Sequence, residues 1–303
     1  MLLINDMKAQ LQRVSSILFL LILIFSEGCT HVFFSQRQKE HARNFLVKFY
    51  SPEDVFFKTP DGLILHGWFL NAHGGAEGTI LALHGNAENL STHVNMTLWL
   101  VDEGFNVFIF DYRGYGKSQG SPNIEGVHVD AEAALETLLT LPGVDKDRII
   151  VLGQSIGGAI AVYTVANSPF KKQVRALVLD SAFSSYRLVA REKLSDFFLT
   201  WPFQYPLSLM FNDDYSPIKW IKQVAPVPVL IIHGEQDPVV PQHHGRLLYD
   251  AATEPKEFWQ TAPRGHIRSF ADAKIREKLV RYLLTKMETQ EVRPDASPQG
   301  GNK

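Results

Sequence analysis

Apolar positions along the chain switch between two periods, and the switching alternates. "DVFFK" and "LILHGWFL" read as two strands joined by the turn "TPDG" at residues 59–62. "TILALHG", residues 79–85, is almost continuously apolar, as a strand covered on both faces must be. Leu90, Val94, Thr97, Leu98 and Val101 then share one helical face, and Gly104 ends the predicted helix. "NVFIFD" (106–111) returns to strand, and Val127, Ala131, Ala134, Leu135 and Leu138 mark a second helix. "RIIVLG" (148–153) precedes a small-residue helix from Gly157 to about Asn167. "ALVLD" (176–180), "VPVLIIHG" (227–234) and "KEFWQ" (256–260) are further strands, a short helix separating the last two. A final amphipathic helix runs through Ala271, Ile275, Leu279 and Leu283.

Two antiparallel strands followed by repeated strand–helix units predict a mostly parallel sheet of about eight strands, with helices on both faces. Ligands of such sheets bind outside the carboxyl ends of the strands, so chemistry is sought there. One long insert, residues 183–225, breaks the rhythm. It carries Phe183, Tyr186, Phe197, Phe198, Trp201, Phe203, Tyr205 and Phe211, too many aromatics for a bare linker. The insert is either a small helical cap with an acyl-binding wall or a set of helices packed on the core.

Residues 45–287 form the expected domain, and residues 288–303 are a polar tail expected to be disordered. Before the domain, Lys8 and Arg13 precede the apolar run "SILFLLILIF" and then "SEGCT". That order is an export signal, residues 1–29, and the run is short for a bilayer span of about 20 residues. It resembles a bacterial lipoprotein signal with Cys29 as the lipidated residue, departing from that pattern at Ser26 and Glu27. The expectation is an exported protein tethered to a membrane, facing the periplasm or the cell exterior. An uncleaved anchor, or ordinary signal cleavage that leaves a free thiol, is the alternative. Composition adds exclusions: Cys29 is the only cysteine, so no internal disulfide forms. A net charge of −2 without a long basic block gives nucleic acid no footprint.

"VLGQSIGG", residues 151–158, fences Ser155 between glycines at a strand-to-helix junction. That is the setting of a nucleophile elbow. Side chains at Gly153 or Gly157 would strike the adjoining helix or strand, and the turn lifts the serine hydroxyl above the sheet edge. A serine needs a base, and an elbow predicts its partners in the order Ser, acid, His. Asp237 in "HGEQDPVVP" and His266 in "APRGHI" follow strands in that order. Asp180, also at a strand end, is the competing acid; His84, His243 and His244 are weaker bases. The oxyanion hole is expected from the N–H groups of Ile156 and Asn86, the latter in the loop "HGNAEN". "GKS" at 116–118 looks like the end of a P-loop, but Asp111 stands where a glycine is required. Asp111 and Arg113 are therefore expected to be structural polar groups.

Across residues 55–285 the ordered motifs "LHGNAEN", "FDYRGYGKSQGSP", "GQSIGG", "HGEQDPVVP" and "RGH" resemble the α/β-hydrolase superfamily. The branch includes serine aminopeptidase-like hydrolases and ABHD-type acyl-protein thioesterases. The resemblance implies an α/β-hydrolase fold, a Ser155–Asp237–His266 triad, no metal and no organic cofactor. It does not fix the substrate: cleavage of a small acyl-ester, thioester or lipid-like substrate is the favoured expectation, with a serine aminopeptidase-type peptidase and a non-catalytic binding protein of the same fold as the alternatives.

Overall fold

The computed structural model describes residues 33–34, 41–42, 46–262 and 265–288. The export segment with Cys29 and residues 289–303 lie outside the described residues.

All eight expected strands are present, each within two residues of its predicted ends: β1 Glu53–Lys58, β2 Ile64–Leu70, β3 Gly78–Leu83, β4 Phe105–Asp111, β5 Ile149–Gln154, β6 Val174–Asp180, β7 Val229–Gly234 and β8 Lys256–Thr261. They form one sheet in the order β1-β2-β4-β3-β5-β6-β7-β8. β2 is antiparallel to both β1 and β4, and every other pair is parallel. The order reverses between β3 and β5, which opens a crevice over their carboxyl ends.

Alternation along the strands divides the core between the two faces. Leu81, Leu83, Val151, Leu177 and Leu179 pack with α3 (Ile124–Leu138), α4 (Ile156–Asn167), α5 (Tyr186–Ser195) and α8 (His243–Ala251). Ile80, Ala82, Ile150, Leu152, Ala176 and Val178 pack on the other face with α1 (Leu90–His93), α2 (Leu98–Asp102) and α9 (Ala273–Glu288). Two further short helices, α6 (Gln204–Ser208) and α7 (Pro217–Trp220), lie in the insert.

Two helices differ from expectation. The single helix predicted from Leu90 is broken at Val94–Met96, a 3-10 turn. The Thr97 hydroxyl donates to the Val94 carbonyl at 2.9 Å, and Thr97 itself leaves helical geometry at φ −123°, ψ −12°. The last helix starts after Ala271 because the Asp272 side chain accepts the Lys274 N–H at 2.9 Å, an N-cap. It continues to Glu288, with Met287 buried against bare Gly78.

Candidate active site

At the end of β5 the chain makes a turn that only its glycines permit. Ser155 adopts φ 54°, ψ −119°, and α4 opens at the next residue. A left-handed serine stores roughly 1–3 kcal/mol of strain, so the surroundings must enforce it. They do so by contact. A Cβ at Gly153 would fall 2.4 Å from the Gly157 carbonyl oxygen, and one at Gly157 would fall 2.0 Å from the Leu83 carbonyl oxygen. Helix, turn and β3 are thus in backbone contact, and the Ser155 N–H is held by the Asp180 carbonyl at 2.9 Å.

Ile156 begins α4, so its N–H has no carbonyl within the helix to bond. Asn86 faces it from the loop after β3, and both line the same cavity as Ser155. The Asn86 Oδ1 accepts the Ala87 N–H at 2.7 Å and the Tyr115 hydroxyl at 3.1 Å. Ala87 and Glu88 follow in left-handed conformation, at φ 67° and 56°. The loop that would present an oxyanion donor is therefore pinned on both sides.

Asp237 lies in the loop after β7. Its Oδ1 accepts the N–H groups of Val239 at 2.9 Å and Val240 at 3.0 Å, and its Oδ2 accepts from His266 Nδ1 at 2.8 Å. Burial works to raise its pKa, but the His266 contact and the two backbone donors outweigh it and hold the carboxyl below the usual range. Asp180 has no bond to His266. Its Oδ2 accepts from Gln154 Nε2 at 2.9 Å and its Oδ1 from the Ser269 hydroxyl at 2.8 Å. Complete burial raises its pKa, and His266 and Asp237 are near enough to bias its charge. Of the two candidate acids, the structure pairs Asp237 with the histidine. Among the described residues no hydrogen bond joins Ser155 Oγ to His266, whose Nδ1 faces Asp237.

Two supports escaped sequence reading. His233, fully buried under the acid loop, donates from Nε2 to the Val240 carbonyl at 2.9 Å. It is the penultimate residue of β7, and its acceptor lies in the loop that follows, a pairing with no sequence pattern of its own. The second support involves His243 and His244, which the sequence reading considered as bases. Their Nε2 atoms each lie 2.9 Å from a Glu192 oxygen, tying α8 to the insert helix α5. His244 Nδ1 accepts the Ser184 N–H at 3.2 Å, so its proton sits on Nε2 and points at Glu192. Neither histidine reaches the serine as a base. His84 is buried and held neutral, its pKa driven down to about 3 by burial first and the neighbouring His93 second. Arg113 is a clamp, bonding Asp130 and Asp61 at 2.8 Å each.

The cavity over Ser155 measures about 200 Å³. Phe33, Phe183, Val189, Ala190, Val239 and Val240 give it apolar walls, and Lys193 is its cationic member. Part of the insert packs on the core and part is exposed. Phe183, Tyr186 and Phe211 are buried against Phe33, Tyr186 and Phe211 edge-on and Phe183 tilted, whereas Phe197, Phe198, Trp201, Phe203 and Tyr205 are all more than half exposed. Among the described residues no helix is long and apolar enough to cross a membrane.

Comparison with known proteins agrees with this geometry. The family model described as "Serine aminopeptidase, S33" matches residues 74–208. The uncharacterized protein YfhR of Escherichia coli K12 is 35% identical over 248 residues, covering 80% of this chain and 84% of YfhR. The alpha/beta hydrolase domain-containing protein WAV2 of Arabidopsis thaliana is 36% identical over 223 residues, covering 70% of this chain and 71% of WAV2. The crystal structure of the Pyrococcus furiosus esterase Pf2001 superposes with a TM-score of 0.67 at 21% identity, over 85% of this chain and 98% of that one. At that identity the likeness establishes the fold. Relatives, family model and architecture agree that this chain belongs to the α/β-hydrolase superfamily and is a hydrolase by lineage.

Proposed function

We propose that the chain is a serine hydrolase that cleaves carboxylic esters or thioesters of short acyl groups. The observation that carries the reading is Ser155 in a strained turn at a helix N-terminus, on the strand edge where His266 is oriented by Asp237 at 2.8 Å. His266 Nε2 takes the proton as Ser155 Oγ attacks the acyl carbon. The oxyanion falls to the N–H groups of Ile156 and Asn86. His266 then returns the proton to the departing alcohol or thiol, leaving acyl-Ser155. Water, deprotonated by His266, adds to the acyl carbon, and release of the acid restores the serine. A cavity of about 200 Å³ with apolar walls suits a short acyl chain, since drug-sized ligands occupy about 300–1,000 Å³.

A peptidase is the second reading, favoured by the description of the matching family model. Aminoacyl amides tested beside p-nitrophenyl esters of graded chain length separate the two. Ester turnover that vanishes in Ser155→Ala, with fluorophosphonate labelling of the wild type only, is the expected result. An inert, unlabelled Ser155 in a folded chain refutes the enzyme and leaves a binding protein. The reading includes a membrane-side location, supported by the Cys29 signal and by the exposed aromatics of the insert. Cys29→Ser is expected to move the protein from the membrane to the soluble fraction; retention there refutes the lipid tether.

A further inference from the structure

Behind the loop that carries Asn86 lies a cluster that ester chemistry does not use. Asp111, the last residue of β4, is fully buried, and the β2–β4 register sets it directly opposite His66. His41 closes a third side, with Nε2 2.9 Å from Asp111 Oδ2. One nitrogen of each imidazole and one oxygen of Asp111 lie within 4.8 Å of one another.

His66 is the unsatisfied member. Its Nε2 lies 2.5 Å from Asp54 Oδ1, so Nε2 carries the proton and donates it to that carboxylate. Nδ1 is left with a lone pair, and it is buried without any hydrogen-bond partner. Histidines that ligate metals almost always give their other N–H to a carboxylate or carbonyl, which fixes the tautomer and aims the lone pair. Asp54 and His66 stand in that relation. The backbone makes room beside them. A Cβ at Gly116 would fall 1.9 Å from Asp111 Oδ2 and 2.8 Å from His41 Nε2, so only a bare residue fits there.

We propose that His41, His66 and Asp111 bind a divalent transition-metal ion of the Zn²⁺ class. Two imidazole nitrogens and one carboxylate oxygen suit that class, whereas Ca²⁺ and Mg²⁺ take oxygen sets. Both imidazoles coordinate as neutral ligands, with the His41 proton moved to Nδ1. Zinc–nitrogen bonds of about 2.0–2.1 Å draw the three groups inward, and His41, outside the sheet, supplies the movement. Asp111 Oδ1 also accepts the Leu90 N–H at 2.7 Å, so the ion braces the far end of the loop bearing Asn86. The Glu192–His243–His244 group is the contrast: there the Ser184 N–H occupies His244 Nδ1 and Glu192 faces its Nε2, so the buried histidine of that group keeps no bare nitrogen.

The test uses the untagged full-length chain, stripped with chelator and titrated with Co²⁺, read by its ligand-field absorption and by Zn²⁺ competition. A single equivalent of Co²⁺, displaced by Zn²⁺, is expected. His66→Gln and His41→Ala abolish the band, Asp54→Asn weakens binding about 10–100-fold, and His243→Ala changes nothing. His41 lies outside the sheet with its side chain 11% exposed, so His41→Ala with an unchanged far-UV circular dichroism spectrum decides the matter if His66→Gln misfolds. No band in the wild type, an undiminished band in folded His41→Ala, or a band lost with His243→Ala each overturns the site.

Discussion

Replacing Asp237 by asparagine tests the assignment of the acid, because the structure dictates how the amide must sit. Asp237 Oδ1 faces two main-chain donors, the N–H groups of Val239 and Val240 at 2.9 and 3.0 Å. An amide nitrogen there would meet two N–H groups head-on, so the amide oxygen takes that place. The NH₂ then occupies the Oδ2 position, 2.8 Å from His266 Nδ1 in the wild type. A donor facing Nδ1 requires a lone pair on that nitrogen, which forces the imidazole proton onto Nε2. The nitrogen that should accept the serine proton is then already protonated. Loss of the correct tautomer in a triad costs about 10⁴-fold in kcat, or roughly 5.5 kcal/mol of transition-state stabilisation. We therefore expect Asp237→Asn to lower kcat on a p-nitrophenyl ester about 10⁴-fold, with KM and the unfolding midpoint little changed. Asp180→Asn is the paired control. Its amide oxygen can keep the Gln154 donor while its NH₂ turns to the Ser269 hydroxyl, which can accept, so activity stays within about tenfold. Asp180→Asn as damaging as Asp237→Asn, or Asp237→Asn within tenfold of wild type, would refute the tautomer argument.

Gly157→Ala places a Cβ 2.0 Å from the Leu83 carbonyl oxygen, so α4 must retreat from β3 by more than 1 Å. A cost of about 1–3 kcal/mol in urea unfolding is expected, with a loss of about 100-fold in kcat/KM as Ser155 is displaced; an unchanged midpoint would show that the contact is not tight. His128, on α3, is held neutral by burial, its pKa lowered to about 4. A depressed histidine pKa means that the unfolded chain takes the proton first, so stability falls with pH from about 6.5 down to about 4. By pH 5 the loss is about 2 kcal/mol; His128→Phe should remove it from the difference between urea unfolding at pH 7 and pH 5, and an unaltered difference counts against the burial argument. Lys193 borders the cavity over Ser155, and its other contacts are long and exposed, 3.5 Å to the Pro238 carbonyl and 3.6 Å to Asp196. Lys193→Met is expected to raise KM severalfold for an ester ending in a carboxylate and to leave a neutral ester unchanged; equal effects on both would show that the lysine only shapes the wall.

Strands were legible in the sequence because β3 to β7 are covered on both faces, and a buried strand must be apolar at nearly every position. The elbow was legible for a related reason. Gly153 answers to a contact within its own strand–turn–helix unit, so its signal is local, whereas Gly157 answers to Leu83 on β3 and was legible only through the spacing of the elbow pattern. The helix from Leu90 misled because its apolar positions kept the right period while Thr97 competed for the backbone, and periodicity does not register that competition. The insert left two readings open. Composition showed its aromatics but not that Phe183, Tyr186 and Phe211 turn inward while residues 197–205 face outward.

What the sequence concealed was pairing across the sheet. His66 and Asp111 are 45 residues apart in the chain and directly opposed in register, and His41 joins them from before the first strand. A metal motif on one helix advertises itself by spacing, because its ligands must share a face one turn apart. Ligands gathered from β2, β4 and a leading segment have no spacing to advertise. The same holds for His266 and Asp237, 29 residues apart, which were found only because a serine between glycines set the order of the partners to seek. Asp111 had no such guide. In sequence it only breaks the P-loop pattern, which marks it as a structural carboxylate. Its two histidine neighbours give that carboxylate a chemical reason to be buried: a charged group removed from water needs a cationic partner or a metal, and His66 offers a bare nitrogen in place of a charge.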